Sequence, residues 1–297
     1  MRGALKSVYL ALPLKKQLFG VVRRAWTPPE SVLRYLYFRG AFPVEVRGRT
    51  FELGHYGYTI ETDIYWRGLF NGWEAASLRL WADLSERSRT IVDIGANTGI
   101  YALIAKTLNP SARVYAFEPL ARVYEKLVEN VRRNAYDIHC RLEAVSNYDG
   151  SGEMFDLEHE HVYSVALDRD VNTGSNEGVR RAVGVVRMDT FIARENIAPD
   201  LIKIDVESRE PEVIEGLGAY LAASRPTMLV EIWHDDEHGR LEIGSRVEAL
   251  VRGKGYRYFR VDEERGAIAS EHIGAPGRGY SNFLICTEEV ARSIGLS

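Results

Sequence analysis

An acid and two glycines in Asp93-Ile94-Gly95-Ala96-Asn97-Thr98-Gly99 close the β-branched apolar run Ile91-Val92 and lead into a helix-like segment at residues 101–107. Glycine lets a chain turn tightly and bring backbone amides against a ligand with no Cβ in the way, so the stretch reads as a nucleotide-cofactor loop after a buried parallel strand. A second apolar run, residues 113–117, ends on Glu118-Pro119, and Glu118 lies 23 residues past Gly95. A carboxylate at that distance sits where a strand end meets the ribose hydroxyls of a bound nucleoside. The plainer reading is turn geometry for Gly95 and Gly99 and a helix N-terminal acid for Glu118.

A second set of residues could move protons. In Leu201-Ile202-Lys203-Ile204-Asp205-Val206-Glu207 the two-residue period of a strand puts Lys203, Asp205 and Glu207 on one face. Burying Lys and Asp side by side in a central strand is costly unless they pair. A pair facing a pocket could fix an acceptor hydroxyl, with Asp205 as base or hydrogen-bond acceptor; alternatively it is a structural ion pair that pins the strand end. Glu231 and His234 close the next apolar run, where His234 could take a proton at neutral pH and Glu231 could orient it or the substrate. The alternative for His234, with Asp235, Asp236 and His238, is a polar loop after a strand. His159-Glu160-His161 and Tyr163 invite a metal reading together with His234 and His238, but no third and fourth ligand stands at recognisable spacing, so no metal is expected. A lid that touches substrate is the preferred account of that segment, and its Arg180, Arg181 and Arg187 could face an anionic substrate or only solvent.

Alternating elements must carry these residues. The pattern predicts strands at 90–94, 113–117, 138–145, 201–206, 227–233, 256–261 and 281–287, with helices at 74–84, 98–108, 120–134, 189–195, 211–217 and 244–253. Such alternation argues for an α/β fold, a doubly wound, seven-stranded, mostly parallel sheet, in which ligands bind beyond the carboxyl ends of the strands. The last two strands are joined by a Gly-rich loop too short for a helical crossover, so they should pair antiparallel. Turn residues crowd an insertion at about 147–187. Before the core, a helix is expected over 31–38, and a hairpin strand over 44–53 turning at 54–57. The domain division is therefore 1–72, a basic N-terminal extension of helices and a hairpin, and 73–297, the cofactor-binding domain.

The glycine spacing selects the cofactor. Dinucleotide folds use G-x-G-x-x-G to bring a helix N-terminus to a pyrophosphate, whereas this loop is D-x-G-x-x-x-G. S-adenosylmethionine has no phosphate, and its ammonium and carboxylate suit Asp93 and the backbone amides. The chain at this point resembles a class I, Rossmann-like S-adenosylmethionine methyltransferase. Four further segments narrow the resemblance to the FkbM family: Asn71-Gly72-Trp73-Glu74, Glu143-Ala144-Val145-Ser146-Asn147, Ile202-Lys203-Ile204-Asp205-Val206-Glu207, and Asn282-Phe283-Leu284-Ile285. It runs from about residue 55 to 286 in the family's order. The resemblance implies cofactor contacts from Glu74, Asp93, Gly95, Ala96, Asn97, Thr98, Gly99, Glu118, Pro119, Glu143 and Ala144, with Glu74 on the ammonium or, more simply, a capping acid. It also implies that Glu231 lies in the site, and that the reaction is O-methylation of a hydroxyl on a sugar, glycan or secondary metabolite. One departure stands out: Ser208-Arg209 follows the strand-four glutamate where many members have Gly and a small residue, so Arg209 would set a cation near the acceptor pocket.

Rival readings are an N-methyltransferase, which the same loop would serve, a nicotinamide-dependent oxidoreductase, and a non-catalytic binding protein that keeps the fold. The oxidoreductase should show the missing second glycine and a hydride-transfer pair, and a non-catalytic copy is free to lose Asp93, Gly95, Gly99, Glu118 and Asp205. Composition adds bounds. Net charge is -4, yet residues 1–40 hold eight Lys or Arg against Glu30 alone, leaving -11 for the rest. Nucleic acid is thus not an expected partner, while the basic segment, with apolar residues at helical spacing, could lie on a membrane or dock on the core. A homo-oligomer is compatible with the sequence. Two cysteines, Cys140 and Cys286, give no disulfide framework, which suits a reducing cytoplasm. Neither a signal peptide nor a transmembrane stretch is expected.

Overall fold

Aromatic packing organises the N-terminal segment of the structure, a computed structural model that describes residues 15–33, 35–156, 165–166, 179–234, 241–274 and 279–296. Helix α1 (Lys15–Val22) turns Phe19 onto Trp66, with ring centroids 5.3 Å apart, and leaves Leu18 and Val21 outward. The helix expected over 31–38 is only the turn α2 (Glu30–Leu33), because Phe38 packs against Phe42, His55 and Tyr65 instead of continuing the helical path. Strands β1 (Gly40–Val46) and β2 (Arg49–His55) form the hairpin, but it turns at Arg47-Gly48 and not at 54–57. Both turn residues have positive φ, 50° and 74°, the two-residue geometry that follows strand twist. Helix α3 (Thr59–Arg67) was not legible, since Glu61, Thr62, Ile64, Tyr65 and Trp66 are buried all round and leave no apolar stripe.

Helix α4 (Ala75–Ser85) opens the alternating core of β3 (Thr90–Ile94), α5 (Ile100–Leu108), β4 (Arg113–Phe117), α6 (Ala121–Arg133) and β5 (Ile138–Arg141). The strand expected over 138–145 breaks after Arg141. Leu142 turns into solvent, and β6 (Ala144–Ser146) joins a separate sheet with β7 (Gly150–Asp156), β8 (Val165–Ala166) and β9 (Val179–Arg187), in the order β6-β9-β7-β8. The core resumes with α7 (Met188–Glu195), β10 (Leu201–Ile204), α8 (Glu210–Gly216), α9 (Ala219–Ser224), β11 (Thr227–His234) and α10 (Leu241–Val251). It ends on β12 (Tyr256–Asp262), β13 (Gly266–Ser270), β14 (Gly279–Thr287) and α11 (Glu288–Ser293).

The main sheet has the order β13-β12-β14-β11-β10-β3-β4-β5, parallel from β5 through β11 and antiparallel beyond. It is the doubly wound, mostly parallel sheet expected, with all seven strands and an eighth, β13. That edge strand is half-exposed and has no apolar alternation to betray it; it folds back because Asp262 Oδ1 accepts from the N–H groups of Glu264 and Arg265, at 3.1 and 3.0 Å. Alternate strand residues feed two cores: Ile91 packs with Trp81 and Leu103 on one face, Val92 and Ile94 with Phe191 and Ile214 on the other. The N-terminal hairpin docks on the first face, where Asn130 on α6 accepts from Gly54 N (2.8 Å) and donates to Thr98 O (2.8 Å). Strand order reverses between β3 and β10, which puts a crevice at their carboxyl ends.

Candidate active site

Two chain ends meet in that crevice with no room to spare. A Cβ built on Gly95, at φ +79°, would lie 1.8 Å from the Asp205 carbonyl oxygen, and the Asp205 N–H donates to Ile94 O at 3.0 Å. The N–H groups of Gly95 and Ala96 both donate to Phe117 O, at 3.0 and 2.8 Å, which stitches the loop across β4. Gly99, at φ +93°, ends the loop against Leu127, and a Cβ there would come within 2.6 Å of Leu127 Cδ1. Glu118 spans two turns with one carboxylate: Oε2 accepts from Asn97 N at 3.1 Å and Oε1 from Leu120 N at 2.9 Å.

The cleft encloses about 1270 Å³ of space between protein atoms, part of it open solvent at its mouth. Glu74, Gly95, Ala96, Asn97, Thr98, Glu118, Pro119, Glu143 and Ala144 line it, together with Asp205 and Glu231. Asp93 and Gly99 do not. Asp93 is 1% exposed and turns its carboxylate back to accept from Ala102 N at 3.1 Å, so it braces the first turn of α5 from beneath the loop. Lys203 is likewise under the floor, its Nζ 3.5 Å from Asp205 Oδ2 and 5.1 Å from the Tyr101 ring centre. The buried Lys203 is therefore paired, with an Asp205 that lies one residue past β10 and is 27% exposed. Glu74 does not cap its helix with its side chain; its Oε2 accepts from Tyr101 Oη at 2.5 Å. The His234 side chain, and all of His159, Glu160, His161, Tyr163, Asp235, Asp236 and His238, lie outside the described residues. Among the described residues no group of three or more His, Cys, Asp or Glu is disposed to hold a metal. Sequence reasoning missed Ile60, Tyr101, Met154, Trp233 and Tyr280 in the lining. Tyr101 and Trp233 sat inside apolar patterns that read as core, and Ile60 belongs to the hidden helix.

Charge is unbalanced in this floor, where Glu74, Asp93, Asp205 and Glu231 surround Lys203. Desolvation pulls the Lys203 ammonium down, but the summed field of Asp205, Glu74, Glu231 and Asp93 outweighs it and raises its pKa above the ordinary lysine value. Burial, then the charges of Asp205 and Glu74, pushes Glu231 well up. Burial also lifts Asp93 and Glu118 to about 7 despite the backbone N–H groups each accepts from. A cationic ligand would relieve this excess.

A pH dependence follows. Asp93 and Glu118 hold their protons more tightly folded than unfolded, where they would ionise near 3.8 and 4.5. The native state then carries extra protons between about pH 4 and 7, so their contribution is greatest at the acid end and is lost as pH rises, by up to about 1.4 kcal/mol per unit per group. Urea unfolding of the ligand-free protein should give a lower midpoint at pH 8 than at pH 5.5. An equal or higher midpoint at pH 8 would mean that these carboxyls are already ionised in the fold.

The Methyltransferase FkbM domain family matches residues 93–258, more than half of the chain. The methyltransferase sdnD of Sordaria araneosa is 27% identical over a match covering 57% of this chain and 74% of that protein. The hexuronic acid methyltransferase AglP of Haloferax volcanii is 27% identical over 47% of this chain, and the match spans about half, 54%, of its length. Among solved structures, the methyltransferase FkbM from Methylobacillus flagellatus KT is similar with a TM-score of 0.44 and 15% identity, covering 67% of this chain and 43% of that one. A SAM dependent methyltransferase from Agrobacterium tumefaciens has a TM-score of 0.45 and 9% identity, covering 83% and 70%.

Proposed function

Since the chain belongs to the FkbM methyltransferase family and is thereby an S-adenosylmethionine-dependent methyltransferase, we propose that it methylates a hydroxyl oxygen on a sugar, glycan or secondary metabolite. The observation that carries this reading is the Lys203 and Asp205 ion pair, whose Asp205 lines the cleft beside the Gly95 turn while Lys203 backs it from beneath the floor. One relative is named for a hexuronic acid, a sugar that carries both hydroxyls and a carboxylate.

The lining suits the cofactor. A Cβ at Gly95 would fill the cradle, Asn97 Oδ1 is a buried acceptor that meets no hydrogen-bond donor among the described residues, and the acidic floor favours a cation. On this reading Glu118 and Pro119 hold the ribose, Glu143 and Ala144 the base, and Gly95 to Thr98 with Glu74 the amino acid end, while Asp93 and Gly99 keep the loop in place. Once bound, the cofactor supplies an electrophilic methyl carbon on a positively charged sulfur. Asp205 accepts the hydrogen bond of the substrate hydroxyl and takes its proton as the oxygen attacks, a role that needs alignment as much as basicity. Lys203 holds the Asp205 carboxylate in place. Glu231 orients the acceptor, and His234 stands at the end of β11 as the second candidate for the proton. An amine acceptor, the N-methylation alternative, would need no such base once neutral.

Calorimetric titration with S-adenosylhomocysteine, run beside NADH and the Glu118→Ala variant, tests the site. Saturable binding is expected, weakened by roughly 30- to 1,000-fold in the variant, which leaves two loop N–H groups without an acceptor as well as losing ribose contacts. Binding of NADH and not S-adenosylhomocysteine would overturn it.

For residues 1–40 we propose a peripheral membrane contact. Supporting it, Leu18, Val21 and Trp26 are exposed beside Lys16 while Phe19 anchors α1 to the core, and no helix among the described residues is long and apolar enough to cross a membrane. The protein should sediment with phosphatidylserine vesicles at low salt and be released at high salt, which screens the attraction of its cations to the anionic surface. Equal recovery with neutral vesicles would count against it.

A further inference from the structure

Beyond the acidic floor the cleft changes character, and this end has no assigned occupant. Strand period keeps Glu231 and Trp233 on one face of β11, and the antiparallel register sets Tyr280 of β14 opposite Trp233. The two rings lie 5.3 Å apart at 42° and both line the cleft, with Tyr280 44% exposed at its rim. The turn after β10 brings Glu207 and Arg209 into the same lining. That turn is strained: Glu207 and Ser208 are both at positive φ, 51° and 79°, with no glycine to ease it. A single buried carboxylate, Glu210 Oε1, holds it by accepting from Val206 N at 3.3 Å and Ser208 N at 3.0 Å. Strain kept at a cleft rim by a dedicated buried acid marks a place where side-chain direction matters.

Resting on the methyltransferase reading, we infer that Trp233 and Tyr280 form a shelf for the C–H face of a pyranose ring, whose hydroxyls donate to Asp205, Glu207 and Glu231 and accept from Arg209. Three chemical features converge on a sugar. The negative face of an aromatic ring attracts weakly positive C–H edges, and rigid rings lose little entropy in doing so. Several carboxylates lining one cleft need several donors, which a polyol offers and a phenol, with a single hydroxyl, does not. An ammonium would also satisfy carboxylates, but it faces Arg209 as a like charge and has no lone pair to accept a methyl group.

Saturation-transfer NMR on protein loaded with S-adenosylhomocysteine tests this with the methyl pyranosides of glucose, galactose, mannose and glucuronic acid, and with phenethylamine as the cationic probe. At least one glycoside should receive saturation at the C–H protons of one ring face. Tyr280→Ala should cut that signal by about fivefold, the worth of one aromatic contact, while Tyr280→Phe keeps it. Both variants should bind S-adenosylhomocysteine as the parent does, since Tyr280 stands at the rim. No transfer to any glycoside with S-adenosylhomocysteine bound, transfer that survives Tyr280→Ala, or transfer to phenethylamine alone would overturn the sugar shelf and leave the cofactor site intact. Failure of S-adenosylhomocysteine to bind the parent would overturn both.

Discussion

Asp205→Asn should lower kcat by about 100- to 10,000-fold, the span expected when a positioned general base is removed, with S-adenosylhomocysteine affinity held within about threefold. The substitution keeps shape and hydrogen-bonding capacity but loses the charge that accepts a proton. It also leaves Lys203, fully buried, facing an amide at the position where it now faces a carboxylate 3.5 Å away. Part of the cost will therefore appear as stability, in the range of a broken buried pair, about 3–5 kcal/mol when nothing else compensates, though here Glu74, Glu231 and Asp93 still balance the lysine. Single-turnover rates and urea midpoints measured on the same variant separate the two roles. A stability loss with kcat unchanged on any accepted substrate would reduce the pair to a pin for the end of β10, and His234 would become the candidate base.

The pair was legible because the two-residue period puts Lys203 and Asp205 on one face, and it survives although β10 ends at Ile204: Asp205 stands one residue past the strand, 27% exposed, and meets the buried Lys203 at 3.5 Å. The cofactor loop was legible for a similar reason, since only glycine tolerates φ +79° and +93° where neighbours press within 3 Å. What the sequence hid has physical causes too. Asp93 resembles a ligand-facing acid by position, yet its partner is the N–H of Ala102, and nothing in a linear pattern says whether a strand-end carboxylate turns toward a ligand or toward the helix it precedes. The break between β5 and β6 was masked because Leu142 is apolar and exposed, so the run through 138–145 looked continuous. Tyr280 was missed because its meaning is its register against Trp233, a long-range pairing that local pattern does not encode. The hairpin turn at Arg47-Gly48 was overlooked in favour of the glycines at 54 and 57; Gly54 serves close packing on Asn130, where a Cβ would fall 2.8 Å from its Oδ1.

Gly95→Ala should be the most damaging single substitution in the cleft, because one methyl group would act on cofactor and base at once. Its Cβ would be driven to 1.8 Å from the Asp205 carbonyl oxygen, a backbone atom that cannot swing aside as a side chain would, and alanine at φ +79° is strained besides. Relief requires the ends of β3 and β10 to part, which breaks the Asp205 N–H bond to Ile94 O and loosens the two bonds from Gly95 and Ala96 to Phe117 O. Each lost buried hydrogen bond costs about 1–3 kcal/mol and the overpacked contact a similar amount, so a fall in stability of roughly 3–6 kcal/mol is expected. Binding of S-adenosylhomocysteine should vanish with it, and Asp205 should be carried out of line even in molecules that remain folded. Gly99→Ala makes the control, since its clash is with the flexible end of Leu127 and not with backbone. It should lose less stability, and pairing it with Leu127→Ala should recover part of that loss, whereas no side-chain trimming should recover Gly95→Ala. Thermal melts of the three variants with and without S-adenosylhomocysteine would check the ordering, and a Gly95→Ala protein that melts and binds like the parent would show that the two strand ends are not locked to each other.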